Sequence, residues 1–240
     1  LGVDLEKTMN LGWVVFRPFG QFITWSLSKM YAIIPNYGVV VIIFAILVKI
    51  LLNPLTKRSF QSNRKMQDIQ PQVKKLKEKY KNDSQKFSRA QIALFKEEGV
   101  NPMGGCLPML LQMPILISFF TVFRSTIEFR GAPFFGWITD LSAPDTLFTV
   151  AGFPINILPF LMGITMFLQQ KLMAVPGSGG QQKMMMYFMN VFFLFLFYTF
   201  PSGLNLYYSV FNLLSIVQQK YLTPIPTKKQ TVVRKPPKKK

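Results

Sequence analysis

The sequence predicts an all-α integral membrane protein: a five-transmembrane-helix bundle with an outer-face amphipathic helix and a cytoplasmic helical hairpin. Half of the 240 residues are apolar, and several long stretches carry almost no charge. A helix needs about 20 mostly apolar residues to cross a bilayer core of about 30 Å. The stretches that meet or approach this length are Tyr37–Asn53, Cys106–Phe123, Phe153–Gln170, Met184–Phe200 and Leu204–Gln219.

These stretches divide the chain into segments that alternate between the two sides of the membrane. In chain order we expect an extracytoplasmic segment with an interfacial helix (1–35), span 1 (36–54), a cytoplasmic helical hairpin (55–105), span 2 (106–125), an extracytoplasmic loop (126–151), span 3 (152–171), a cytoplasmic loop (172–182), span 4 (183–200), span 5 (203–221) and a basic, disordered cytoplasmic tail (222–240).

The cations assign the sides of the membrane. The net charge is +18; segment 54–105 holds twelve Lys and Arg, whereas segment 124–152 holds two. Loops rich in Lys and Arg stay in the cytoplasm. We therefore expect a multi-pass protein of the cell inner (plasma) membrane, with the amino end of this chain outside and the carboxyl end cytoplasmic. Because the chain begins with Leu1, we expect a longer protein with an element that precedes it.

Residues 16–35 form the amphipathic element. Apolar side chains recur at helical spacing on one face, which favours a helix in the outer interface. A sixth span is the alternative, because Trp25 interrupts the polar face. Asn36 is a plausible N-cap for the span that follows.

A heptad pattern predicts the hairpin within segment 58–99. Its apolar residues are spaced 3, 4, 3 and 4 apart, and we expect them to contact the nascent chain or its delivery partners: Met66, Ile69, Val73, Leu76 and Tyr80. Pro71 should kink the first helix or mark its start, and residues 82–84 should form the turn. A disordered basic loop is the alternative.

Lys49 is the charged residue inside the apolar run FAILVKILLNP. Its ammonium group either snorkels to the headgroups or occupies a wet cavity. A polar stripe in span 5 favours the cavity, because lipid does not tolerate such a stripe; direct hydrogen bonds between helices are the alternative. The stripe consists of Asn205, Tyr208, Asn212 and Ser215, spaced 3, 4 and 3 apart.

The composition argues against several classes of site. With no histidine and only Cys106, the chain lacks the residues for a disulfide framework, the usual zinc sites or histidine acid–base catalysis. We expect neither a catalytic site nor a metal or cofactor. A small channel or secondary transporter that uses Lys49 remains an alternative, as does an intramembrane enzyme with a Ser–Lys pair, although no nucleophile-elbow motif is present.

Four stretches resemble the conserved core of the YidC/Oxa/Alb family of membrane protein insertases. They are NPLTKRS, EEGVNPMGGCLPMLLQMPI, FFGWITDLSAPD and FPSGLNLYYSVFNLLSIVQQ, and the resemblance covers residues 13–221. It implies a five-helix bundle with a hydrophilic inner-leaflet groove that carries one arginine. Lys49 stands at the arginine position, so this chain keeps the charge but not the bidentate geometry. The other groove residues that the resemblance implies are Gln112, Tyr207, Tyr208 and Asn212.

The resemblance further implies an insertase that moves nascent membrane proteins from the cytoplasm into the bilayer, alone or with the Sec translocon. The basic tail should bind ribosomal RNA or anionic membrane lipids through electrostatic attraction. Its cations are Lys228, Lys229, Arg234, Lys235, Lys238, Lys239 and Lys240.

Overall fold

The structure, a computed structural model, describes residues 17–101, 107–126, 129–174 and 180–222. Most of them are helical. The helices are α1 (Arg17–Tyr31), α2 (Tyr37–Asp68), α3 (Gln70–Lys79), α4 (Ser84–Glu97), α5 (Leu107–Ser125), α6 (Leu158–Met173), α7 (Gly180–Tyr198) and α8 (Ser202–Val217), and the strands are β1 (Thr146–Val150) and β2 (Phe153–Asn156). The tail cations of the sequence analysis, and Cys106, lie outside the described residues.

Helix α1 packs against α5 and α2 along only part of its apolar stripe. Ile23 and Leu27 are buried, whereas Phe19, Phe22 and Trp25 are about half exposed. The apolar residues of α1 therefore do not all lie on one buried face: some pack into the bundle, and others are exposed on the surface of the molecule.

Helix α2 continues well past the boundary that we expected at residue 54. The Asn36 side chain caps its start by accepting a hydrogen bond from the Val39 amide at 3.1 Å, as predicted. The helix passes through Pro54 and ends at Asp68. Residues 55–68, which the sequence analysis assigned to the hairpin, therefore extend the first apolar helix.

The hairpin is α3 and α4, which contact each other. Pro71 lies in the first turn of α3, one of the two positions that we had considered for it. Asp83 caps α4 by accepting a hydrogen bond from the Lys86 amide at 2.9 Å, and this bond holds the pKa of the Asp83 carboxyl below its ordinary value. The predicted heptad seam is interrupted: Met66 lies in α2, Ile69 lies between the helices, and the remaining members follow from α3 onward.

Strands β1 and β2 form an antiparallel hairpin, which corrects the all-α prediction and the expected start of span 3 at residue 152. Residues 151 and 152 make the turn with positive φ angles of 49° and 84°. The third apolar stretch is helical only from Leu158.

A loop, residues 129–145, covers the starts of α2 and α8. The backbone carbonyls of Leu141 and Ala143 accept hydrogen bonds from the first amides of α8, at 3.0 and 2.8 Å. The Phe134 ring lies over Gly38 at the start of α2, where a Cβ would approach it to 2.0 Å. The start of α8 is thus capped by loop backbone and not by a side chain of its own.

Asp145, at the end of this loop, holds the start of α6. Its Oδ2 accepts hydrogen bonds from the amides of Ile157 and Leu158, at 2.9 and 2.7 Å, and from Trp137 Nε1 at 3.2 Å. The FFGWITDLSAPD stretch therefore joins loop and helix through one buried carboxylate.

Helix α8 is the centre of the bundle and contacts α6, α2 and α5. Gly203 permits its close approach to α5, since a Cβ there would lie 2.4 Å from the Phe123 ring. At Gly163 of α6, by contrast, the nearest atom would lie at an ordinary 3.4 Å.

Among the described residues, α2 is the helix that has both the length and the composition to cross a membrane. Shorter apolar helical segments cover Gln112–Arg124 and Met184–Tyr198. The count of five spans therefore stays a prediction.

Candidate functional site

Lys49 points into the bundle and not toward the helix end. Its side chain is 7% exposed, and Nζ donates a hydrogen bond to the Ser215 hydroxyl of α8 at 2.6 Å. The Ser215 hydroxyl in turn donates to the Phe211 carbonyl one turn earlier, at 2.7 Å. The snorkelling alternative for Lys49 is not the geometry of this structure.

Two aromatic rings complete the surroundings of the ammonium group. Nζ lies 4.7 Å from the centroid of Phe211 and 5.6 Å from that of Phe60. Ring faces attract cations, most strongly where water is excluded. Among the described residues, no carboxylate oxygen lies within 4 Å of Nζ, so the charge is solvated by a hydroxyl and two rings without a counter-ion.

A cluster of amides and hydroxyls continues from Lys49 along α2. Asn53 and Thr56 follow at the spacing of successive helical turns, and both reach Gln218 just beyond α8. Gln218 Nε2 donates to Asn53 Oδ1 and, at 3.1 Å, to Thr56 Oγ1. Gln218 belongs to a π-helical turn, Gln218–Leu222, a feature frequent at functional sites.

Tyr207 and Tyr208 are both buried and stand perpendicular to each other, with centroids 5.2 Å apart. Tyr207 stacks on Phe119 of α5 at 4.2 Å and lies 5.9 Å from Phe211, whose ring also contacts Lys49. Phe211 thus connects the cation to the tyrosine pair.

Gln112 approaches the Tyr208 hydroxyl from α5. By distance and angle, neither the Gln112 amide nitrogen nor the two tyrosine hydroxyls has a hydrogen-bond partner among the described residues. Buried polar atoms without partners are rare, and water or a ligand group usually satisfies them. The region between α5 and α8 therefore holds three polar groups that water or a bound molecule would satisfy.

The Asn212 side chain contacts α6. Its amide points to Thr165 of α6, at 3.5 Å, and the Thr165 hydroxyl donates to the Met162 carbonyl at 2.9 Å. The polar stripe of α8 therefore has features of both alternatives, a polar cavity and direct hydrogen bonds between helices. Asn212 contacts another helix directly, whereas the Tyr208 hydroxyl has no hydrogen-bond partner among the described residues.

The hairpin residues that we expected to contact the nascent chain are more buried than that role requires. Ile69 and Val73 are buried, and Met66, Leu76 and Tyr80 are partly buried. The end of α2, from which the hairpin extends, is held by two side chains: Gln67 donates to the Ala174 carbonyl after α6 at 2.9 Å, and Ser62 donates to the Asn101 carbonyl after α4 at 3.0 Å.

Lys49 and the α8 stripe were predicted from the sequence, whereas Asn53, Thr56, Thr165 and Gln218 were not. A signal for two of them was present. Residues 49, 53 and 56 share one face of a helix, but the prediction ended the span at Pro54 and so divided that face.

The chain is similar to several known proteins. The family described as "60Kd inner membrane protein" matches residues 29–229. The "Membrane protein insertase YidC" of Francisella philomiragia is 44% identical over 223 residues, which are 93% of this chain and 38% of that protein. The protein of the same name from Francisella tularensis subsp. novicida matches with the same identity and coverage.

One solved structure, described as "Active YidC insertase crystal structure with the first transmembrane domain resolved", matches with a TM-score of 0.66 and 27% sequence identity. The match covers 86% of this chain and 46% of the other. The chain thus spans less than half the length of the relatives that it matches.

Proposed function

The chain belongs to the 60Kd inner membrane protein family, and we propose that it is the core of a membrane protein insertase. Its substrates are nascent membrane proteins, which it moves from the cytoplasm into the lipid bilayer, either alone or beside the Sec translocon. The amino end of this chain is outside and the carboxyl end cytoplasmic, where the basic tail binds the ribosome or anionic lipids.

The buried charge of Lys49 carries the proposal. A cation at the centre of a span costs about 2.5–3.5 kcal/mol on the insertion scale. One hydroxyl and two rings compensate this cost without neutralising the charge. The ammonium group therefore retains its attraction for an anion that comes from outside the molecule.

The mechanism follows from that attraction. The hydrophilic outer segment of a substrate, often acidic, enters a polar groove from the cytoplasmic side and approaches Lys49. At 4 Å, two unit charges attract by about 4 kcal/mol at an effective dielectric of 20, compared with about 1 kcal/mol in bulk water. This attraction lowers the cost of desolvating the segment while the apolar span moves along the outside of the groove into lipid.

The unpartnered groups of Gln112, Tyr207 and Tyr208 would offer hydrogen bonds to the same segment. Hydrophobic transfer of the substrate span and the membrane potential, worth about 2.3 kcal/mol per charge per 100 mV, would drive the reaction. The hairpin α3–α4 would receive the nascent chain or its delivery partners.

Insertion into proteoliposomes tests the proposal. Two single-span substrates are compared, one with an acidic outer tail and one with each acid changed to its amide. For the acidic substrate, we expect Lys49→Met to lower insertion about tenfold or more, since about 1.4 kcal/mol of lost attraction corresponds to tenfold. Lys49→Arg should insert it as wild type does.

The matched control is Lys57→Met, which removes an exposed cation eight residues further along α2. It should leave both substrates unaffected. The electrostatic mechanism is wrong if Lys49→Met impairs the acidic and the amide substrates equally. The insertase proposal itself is wrong if the wild-type protein inserts neither substrate.

A further inference from the structure

The hairpin β1–β2 presents a face made of apolar side chains alone. In the antiparallel register, Val150 pairs with Phe153 and Phe148 pairs with Ile155. Paired residues, and residues two apart along a strand, share one face of the ladder. Phe148, Val150 and Phe153 are 52%, 53% and 74% exposed.

Such a face needs a cover. An isolated two-stranded hairpin is only marginally stable in water. Contiguous exposed apolar patches on natural proteins mark sites that contact another protein or a membrane. The opposite face of the hairpin is not covered by the rest of the described structure either, because Leu147 and Pro154 are exposed there.

The attachment of the hairpin places it beside the apolar helices. Asn156 Nδ2 donates to the Tyr198 carbonyl at the end of α7, at 2.8 Å, and the Tyr198 hydroxyl donates to the Pro154 carbonyl. Strand β2 ends two residues before α6 begins. Near these junctions, Phe160 of α6 and Phe195 of α7 also have exposed rings.

We propose that the apolar face of the hairpin lies in the outer leaflet of the bilayer, where it continues the lipid-facing surface of α6 and α7. Segment 146–156 contains no charged residue, so it offers no ion pair to a soluble protein. Transfer of apolar side chains from water to lipid is favourable, and Tyr198, which bonds to the hairpin, is of a residue type enriched at the membrane interface. The hairpin thereby anchors the outer ends of α6 and α7 in lipid.

Fluorescence quenching in proteoliposomes of the full-length protein tests this anchor. In a Cys106→Ala background, single cysteines replace Phe153 or Val150 on the apolar face, or Thr149 on the opposite face. Each cysteine carries an environment-sensitive fluorophore. Lipids spin-labelled high on the acyl chain and aqueous iodide serve as the two quenchers.

We expect the spin-labelled lipid to quench the labels at 153 and 150 several-fold more than the label at 149, and iodide to show the reverse order. Strong iodide quenching at 153 and 150 would overturn the proposal in favour of a water-exposed face. Protection from both quenchers would overturn it in favour of a protein cover. Circular dichroism of each labelled variant verifies its fold, and the two positions on one face provide independent readings.

Discussion

The Asp145→Ala variant should lose about 3 kcal/mol of unfolding free energy, because a buried hydrogen-bond donor that loses its acceptor costs about 1–3 kcal/mol and Asp145 serves three such donors. Asp145 is 2% exposed, and its Oδ2 accepts hydrogen bonds from two amides at the start of α6 and from the Trp137 indole. Alanine would leave all three donors without this acceptor. The carboxylate also lies where the partial positive charge of the helix N-terminus is greatest.

The size of the effect follows from the balance of these contacts. Hydrogen bonds to a charged group contribute about 1.5–3 kcal/mol each, so three sum to about 4.5–9 kcal/mol. Desolvation of the carboxylate offsets part of this sum, since Asp145 Oδ1 has no hydrogen-bond partner among the described residues. Asp145→Asn keeps one oxygen acceptor but loses the charge, and should lie between alanine and wild type.

Denaturant unfolding in detergent micelles, followed by far-ultraviolet circular dichroism, measures the loss. The matched control is Asp140→Ala in the same loop, because the hydrogen bonds which that carboxylate accepts within the described part of the chain come from Ser142, two residues away. Its removal should cost about 1 kcal/mol, the value of a local side-chain cap. If Asp145→Ala is no less stable than Asp140→Ala, the carboxylate does not join loop and helix.

Two further predictions use glycine and serine pairs as matched controls. Gly203→Ala places a methyl group 2.4 Å from a core ring and should destabilise the protein by about 1–3 kcal/mol, whereas Gly163→Ala meets its nearest atom at 3.4 Å and should be neutral or stabilising in the same unfolding assay. Equal stabilities would contradict the close helix approach. Ser215→Ala removes the hydroxyl that accepts the Lys49 hydrogen bond and should lower insertion of the acidic-tail substrate several-fold, while Ser215→Thr restores it. Ser209→Ala removes a hydroxyl whose hydrogen bond, in the part of the chain that the structure describes, goes to the Asn205 carbonyl of its own helix. This variant should insert as wild type does, and equal insertion by both alanine variants would refute a positioning role for Ser215.

The helices and the orientation of α8 could be predicted because their signals are local. The Asn36 cap needs only the residues of the next turn. The stripe of polar residues in α8 can be predicted from the helical period alone, and all four of its members are buried. A span that carries such a stripe has to turn it toward protein or water, so the period alone indicated which face points inward.

The β-hairpin was missed for a physical reason. Residues 146–156 are uncharged and largely apolar, a composition that a membrane-embedded helix and an interfacial hairpin share. The turn at residues 151 and 152 distinguishes a hairpin from a helix, but the predicted start of span 3 was placed at this turn. The continuation of α2 beyond Pro54 was missed because proline was taken as a stop, although proline inside a helix can also be accommodated.

The contact between Lys49 and Ser215 could not have been predicted from either helix alone. The two residues are 166 positions apart, and their meeting depends on the rotation of α2 relative to α8. Local periodicity gives the buried face of each helix but not the register between two faces. Ser215 was therefore predicted to face protein or water, whereas the direction of Lys49 stayed open between the headgroups and a cavity, and the two residues were not paired.

The same contact bears on why lysine can stand where the family resemblance implies arginine. Within the described residues, Nζ donates to one acceptor, the Ser215 hydroxyl, and the Gln218 amide is bonded to Asn53 and Thr56. A guanidinium group has five donors in a rigid plane, whereas the contacts of the lysine ammonium group here are one hydroxyl and two rings, none of which requires a forked donor. What lysine and arginine share at this position is charge and not the forked geometry. A substrate pair that differs only in its acids thus probes the property that both side chains would supply.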